Sequence, residues 1–252
     1  MSKKSFENFI LIASIFVFSI YTLLFISLFS IFRWELKDEL PRIVLAIKNS
    51  LLASIISTFL SVIIGIPCAY FLSRYKTKFS RIIDIILEFP LIISPAALGA
   101  TIVIFLNTPI GKPLKNFILF TFNGIILAQF LTVLGLFIRV LKSAIDEINY
   151  KYELVANLFG ANKFQIFFDI VLPLVKRALF AGIALSLAKS FGEFGATLMV
   201  AGSIPYKTET LPIYLYHQLS TANINQAILS ILIILATGIL TIYFVRVYAK
   251  NP

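Results

Sequence analysis

The stretch from Ser50 to Leu72, SLLASIISTFLSVIIGIPCAYFL, decides the fold. It carries no charged side chain and supplies the roughly 20 mostly apolar residues that a helix needs to cross a bilayer. Gly65 and Pro67 interrupt it. A proline removes a backbone donor and crowds the preceding turn, so a kink or break is expected there. Working outward, five more stretches read the same way: Phe9 to Phe32, Ile82 to Leu106, Phe117 to Leu141, Leu174 to Ala201, and Gln226 to Tyr248. The segment 82–106 carries Asp84, Glu88, Pro90 and Pro95 and is expected to be kinked or broken as well. The composition agrees, with 59% hydrophobic and only 13% charged residues among 252, where a soluble domain carries about a quarter charged. The expectation is an all-α membrane protein of six transmembrane helices forming a single membrane domain over residues 1–252, with one long polar connection at 142–173.

Several function classes are excluded at this point. Lys3 and Lys4 followed by an apolar run imitate a signal peptide, but the run far exceeds an h-region of about 7 to 15 residues and lacks a small-residue cleavage site, so the first helix is read as retained. One cysteine, Cys68, and one histidine, His217, provide neither a disulfide nor a metal site. No clustered set of catalytic side chains falls at membrane depth, so the chain is expected to be non-catalytic, with no cofactor-binding or metal residues. The net charge of +10 has no soluble basic module to carry it, and nucleic acid is not an expected partner; the lipid bilayer is. Basic residues instead sort by side. Lys3, Lys4, Arg74, Lys76, Lys78, Arg81, the set from Arg139 to Arg177, and Arg246 with Lys250 outnumber Arg33, Lys37, Arg42, Lys48, Lys112, Lys115 and Lys207 about two to one. That bias places both termini in the cytoplasm and the chain as a multi-pass protein of the cytoplasmic membrane.

The connection 142–173 is then the cytoplasmic piece best placed to meet soluble partners. Val155, Leu158, Phe159, Phe164, Phe167 and Phe168 alternate with Asp146, Glu147, Lys151, Glu153, Lys163 and Asp169, a pattern of short amphipathic helices at the membrane surface. Gly160 sits where the first should end and Pro173 where the next should begin.

The run Glu153-Leu154-Val155-Ala156-Asn157-Leu158-Phe159-Gly160, followed after nine residues by Ile170-Val171-Leu172-Pro173, resembles the EAA loop of permease subunits of type I ATP-binding-cassette importers. Ala156 keeps its place in the Glu-Ala-Ala block, while the glutamate stands one residue early, at Glu153. A second run, Lys189-Ser190-Phe191-Gly192-Glu193-Phe194-Gly195-Ala196-Thr197-Leu198-Met199-Val200-Ala201-Gly202, continuing through Pro205 to Lys207-Thr208-Glu209-Thr210-Leu211-Pro212, resembles the membrane subunit of molybdate and tungstate importers, and more loosely that of sulfate importers. Gly65-Ile66-Pro67, Phe89-Pro90 through Pro95, and Asn107 to Gly111 add to it.

The resemblance implies a homodimer of this chain carrying two ATPase subunits on the cytoplasmic side. A soluble or lipid-anchored binding protein would deliver a tetrahedral oxyanion outside. ATP and Mg would belong to the ATPase, since the chain has no phosphate-binding loop; Gly111-Lys112-Pro113 lacks both the first glycine and the hydroxyl. Glu153, Ala156, Gly160, Ile170, Leu172 and Pro173 are the implied coupling residues, the helix around the glycine seating in a groove of the ATPase. Lys189, Ser190, Gly192, Glu193, Gly195, Pro90 and Pro95 are candidates for the pathway or gate. Lys189 and Glu193, one turn apart, either neutralise each other or serve that pathway. Asp84 and Glu88 read as a solvated helix end balanced by Arg74, Lys76, Lys78 and Arg81. The alternatives are a sulfate or thiosulfate importer and, from another class, an ion-coupled secondary transporter.

Overall fold

The computed structural model describes residues 3–31 and 40–250. Every regular element among them is helical. In chain order these are α1 (Lys3–Ile31), α2 (Leu40–Arg74), α3 (Lys78–Ile92), α4 (Pro95–Leu106), α5 (Lys112–Ile118), α6 (Phe122–Glu147), α7 (Lys151–Leu158) and α8 (Lys163–Gln165). A π-helical turn, Ile166–Val171, leads through α9 (Leu172–Leu174) into α10 (Lys176–Phe191). The chain finishes with α11 (Gly195–Ala201), α12 (Leu211–Ser220) and α13 (Ile224–Lys250). Four helices (α1, α2, α6 and α13) are long and apolar enough to span a membrane alone, and two bent pairs raise the number to six. Phe32, Arg33 and Lys37, which entered the sequence reading, lie outside the described residues.

The boundaries shift where local chemistry overrides hydropathy. The second span begins at Leu40, ten residues before the expected Ser50, and runs unbroken past Pro67. Tight packing against α6 holds the helix together there despite the missing donor. Phe117 belongs to α5, so the fourth span starts later than expected, at Phe122, after Thr121 caps α6 by accepting the Gly124 N–H. It also runs past Leu141 to Glu147, which shortens the polar connection. The third segment breaks between Ile92 and Pro95 with a 116° bend, and the fifth is not one helix from Leu174 to Ala201 but α10 and α11 separated at Gly192–Phe194.

The core of the bundle is α2 laid along α6, with α10 closing over both. Down one side of α2 the buried residues are small: Ala46, Ser50, Ser54, Ser57, Ser61, Gly65 and Ala69 follow each other at helical spacing. Small side chains let helix backbones approach closely, the usual basis of packing where lipid offers no hydrophobic drive. The tightest point is Phe137 of α6, fully buried between two glycines. A Cβ on Gly65 of α2 would fall 2.5 Å from its ring, and one on Gly182 of α10 would fall 3.2 Å from the opposite ring edge. Leu72, Ile138, Leu141, Ile145, Val171 and Val175 extend this core toward the Arg74 end of α2.

Gly65→Val should therefore lower stability by about 1–3 kcal/mol through overpacking, and Phe137→Ala by about 3–5 kcal/mol through the cavity it leaves. Thermal unfolding in detergent reads both. Combining Gly65→Val with Phe137→Leu should recover part of the first loss, and equal melting of the single variant and wild type would remove the notch from the account.

Candidate functional site

The two helix breaks meet. Ser94 caps α4, its hydroxyl accepting the Ala97 N–H at 3.2 Å, with Pro95 at the first helical position where a missing N–H is harmless. Opposite it, α10 stops at Phe191 and α11 restarts at Gly195. A Cβ on Gly195 would lie 2.9 Å from the Ala96 nitrogen and 3.2 Å from the Pro95 Cβ, and one on Gly99 would lie 2.8 Å from the Ala196 carbonyl oxygen. Glycine is required on both sides because backbone touches backbone. Pro95 and Gly195, chosen separately from the sequence, are thus in contact. Pro90 lies within α3, and a Cβ on Gly192, which caps α10, would meet nothing nearer than 3.6 Å, so neither forms the crossing itself.

Lys189 and Glu193 face each other across the second break, Nζ to Oε2 at 3.7 Å, but in unlike settings: the lysine side chain is 49% exposed and the carboxylate 1%. The other oxygen of Glu193 accepts the Ala196 N–H at 3.1 Å, so the buried carboxylate caps the first turn of α11. The lysine is the exposed member of the pair. Ser190 donates to Gln129 Oε1 of α6 at 3.0 Å, tying the end of α10 to the bundle, and the buried Gln129 Nε2 has no partner.

At the Arg74 end stands α7. Glu153 points inward: Arg74 Nε donates to Oε1 at 2.5 Å and the Tyr70 hydroxyl to Oε2 at 3.1 Å, with the carboxylate nearly sealed. Ala156 packs against the core below. What α7 shows outward is the apolar edge expected of an amphipathic helix, Val155, Leu158 and Phe159 joined by Tyr152, rather than the coupling residues Glu153 and Ala156 that the resemblance implied. Tyr152 and Val155 are exposed, and Leu158 and Phe159 stand 86% and 88% exposed. The spacing of three and four was the available signal. Gly160 ends α7 at φ +85°, with Ala161 donating back to the Ala156 carbonyl, and nothing lies within 4 Å of where its Cβ would be. Asn162 and Gln165 then form a reciprocal capping box. Ile170 lies in the π-turn, Leu172 and Pro173 in α9, and the chain bends by 72° into α10.

Two further charge contacts are long-range. Asp84 of α3 accepts from Lys142 of α6 at 2.8 Å, rather than from the basic residues just upstream, and both line a cavity of about 180 Å³ with Glu88, Arg139 and Asp146. At the far end of α2, Arg42 grips Glu209 with two hydrogen bonds of 2.8 Å. Asn49 donates to the Lys207 and Glu209 carbonyls and Ser50 accepts the Leu211 N–H, so α2 holds residues 207–211. His217 sits on α12. Among the described residues no three His, Cys, Asp or Glu side chains gather in a way that would hold a metal.

Residues 61–251 match the family described as binding-protein-dependent transport system inner membrane component. The chain is 34% identical over 186 residues to the probable transport system permease protein NifC of Clostridium pasteurianum, covering 71% of this chain and 64% of that protein. It is 30% identical over 218 residues to the sulfate transport system permease protein CysT of Escherichia coli K12, covering 84% and 78%. With the molybdate/tungstate transport system permease protein WtpB of Methanocaldococcus jannaschii it shares 27% over 216 residues, covering 84% and 85%. Its fold superposes with a TM-score of 0.76, at 19% identity and over 99% and 98% of the two chains, on a chain of the bacterial alginate ABC transporter crystallised with its pentasaccharide-bound periplasmic protein. Spans, broken helices and sequence together establish that the chain belongs to the family of binding-protein-dependent transport system inner membrane components, as a multi-pass permease of an ABC importer with the type I fold.

Proposed function

We propose that this permease carries a tetrahedral, doubly charged oxyanion, molybdate or tungstate, into the cytoplasm. It works as a homodimer with two ATPase subunits on its cytoplasmic face and a binding protein outside, both of its termini being cytoplasmic. The observation that carries the coupling half of this reading is the apolar edge of α7. Leu158 and Phe159 stand almost fully exposed at an end of the bundle rich in charge, while Glu153 fixes the helix from behind. An amphipathic helix presenting such an edge is suited to a hydrophobic groove. Glu153 and Ala156 then act by holding the helix, and the contact surface is Tyr152, Val155, Leu158 and Phe159. Gly160 closes the helix so that the chain can turn away, and Ile170, Leu172 and Pro173 carry the motion into α10.

Transport follows from two-state mechanics. ATP draws the ATPase subunits together, α7 moves with them, and the crossing of the two broken helices opens toward one side of the membrane and then the other. Lys189 offers the anion a transient cationic contact. Glu193 beside it keeps that contact weak enough for release, as conduction requires. The substrate assignment rests on the run from Lys189 to Gly202 and on the relatives named for molybdate and tungstate. The relative named for sulfate, at 30% identity, supports sulfate as the second reading. Membership of the family leaves no place for the ion-coupled alternative.

Deleting the gene and growing cells in trace molybdate and tungstate with ordinary sulfate separates the ions by elemental analysis. Selective loss of cell-associated molybdenum or tungsten is expected, and unchanged metals with sulfur limitation would transfer the protein to sulfate. Phe159→Ala should weaken retention of the ATPase in mild detergent by at least tenfold, in the range of interface anchors, and Gly160→Trp should abolish it; undiminished co-purification of both would rule out α7 as the contact. Lys189→Gln should slow uptake several-fold while ATP hydrolysis continues, whereas equal uptake by variant and wild type would remove the lysine from the pathway.

A further inference from the structure

We propose that α2 is a strut that relays the docking of the binding protein to the ATPase, gripped at each end by a buried arginine–glutamate pair. The inference rests on the reading of the chain as a permease coupled to an ATPase and goes beyond it, because it names the element that joins the two faces.

The pairs lie 167 and 79 residues apart in sequence yet share one helix. Arg42 takes Glu209 in a two-pronged contact with side chains 12% and 2% exposed, and Arg74 takes Glu153 with side chains 11% and 6% exposed. The two arginines stand 32 residues apart on an uninterrupted helix, about 48 Å at 1.5 Å per residue. Glu209 belongs to the segment between α11 and α12, which α2 also holds through Asn49 and Ser50. Glu153 belongs to α7, the element that carries the exposed apolar edge. The Arg42 guanidinium, bonded at two points to Glu209, fixes orientation as well as distance, and Glu153 is held from α2 at both oxygens, one by Arg74 and the other by Tyr70. Neither loop can therefore turn without turning its end of α2. A buried pair of this kind adds little net stability, since desolvation offsets most of the attraction. Two of them at the ends of one helix are better explained by what they transmit. Phe137, seated against Gly65 and Gly182, locks α2 to α6 and α10, so a turn at one end of α2 is carried by the three helices as one rigid unit. Glu209 and Glu153 are thus positioning residues, acting through α2.

The test uses the full complex of permease, ATPase and cognate binding protein in proteoliposomes. The binding protein is loaded in turn with molybdate, tungstate and sulfate, and the readout is its stimulation of ATP hydrolysis over the basal rate. Glu209→Gln should cut stimulation at least fivefold, the low end of ordinary coupling between sites, with basal hydrolysis close to wild type, while the Arg42 charge left without its carboxylate lowers the melting temperature on its own account. Adding Glu153→Gln should then lower stimulation no further, because two cuts in one relay are not additive. If Glu209→Gln blocks assembly, Arg42→Lys, which keeps the charge but loses the two-pronged contact, is read in the same way. Stimulation within twofold of wild type overturns the strut, and so do losses that multiply in the double variant. A parallel fall of basal and stimulated rates with the melting temperature also overturns it, in favour of a purely structural pair. Failure of the wild-type complex to respond to any loaded binding protein would instead overturn the functional reading beneath.

Discussion

The notch in which Phe137 sits between Gly65 and Gly182 governs the rest of the molecule. In lipid there is no hydrophobic gain from bringing two apolar helices together, so they associate only where shape allows dense contact and where polar groups find partners. Two glycines facing one ring bring α2, α6 and α10 to their closest approach. The seam of serines above that point adds hydroxyls that bond backward or across, as Ser57 does to the Ile126 carbonyl and Ser61 to that of Ser57. With these three helices fixed, the remaining elements have a frame against which to be broken. The bends at Ile92–Pro95 and at Gly192–Phe194 are tolerable because each freed helix start is capped by a side chain, Ser94 in one case and Glu193 in the other.

The division of labour along the chain follows from burial. Charges that are sealed, at Glu153, Glu209 and Glu193, hold helices and loops in place. Groups that are left open, at Lys189 and along the edge of α7, are the ones available to an ion or a partner. Sealing and exposure alternate within a few residues of each other, which is why sequence neighbours such as Lys189 and Glu193 take different parts.

The spans, the long polar connection and the break before Pro95 were legible because each is a local property of about 20 residues, hydropathy for the spans and proline for the break, although no break occurs at Pro67 and the one at Gly192–Phe194 falls inside a segment expected as a single helix. What pairs with what was not. Arg42 and Glu209 are separated by most of the chain, Asp84 passes over four nearer cations to reach Lys142, and the contact of Pro95 with Gly195 joins two segments a hundred residues apart. Glu153 looked like a contact residue because its motif suggested one; the partner that turns it inward, Arg74, lies on another helix. The small-residue seam of α2 was available in the sequence at a spacing of three to four. It was masked by the high hydropathy of the residues between.

The π-helical turn gives the spacing of the loop motif a meaning of its own. Ile166 and Val171 are both buried although five positions apart, and on a regular α-helix such residues would point about 140° away from each other. The wider turn takes up one extra residue and brings both onto a single side. Everything after it, from Leu172 onward, is therefore rotated relative to α8. The nine residues between Gly160 and Ile170 set an angle rather than a distance: they determine which side of α10 continues the line of α7, and a chain one residue shorter there would aim the same helix at a different neighbour.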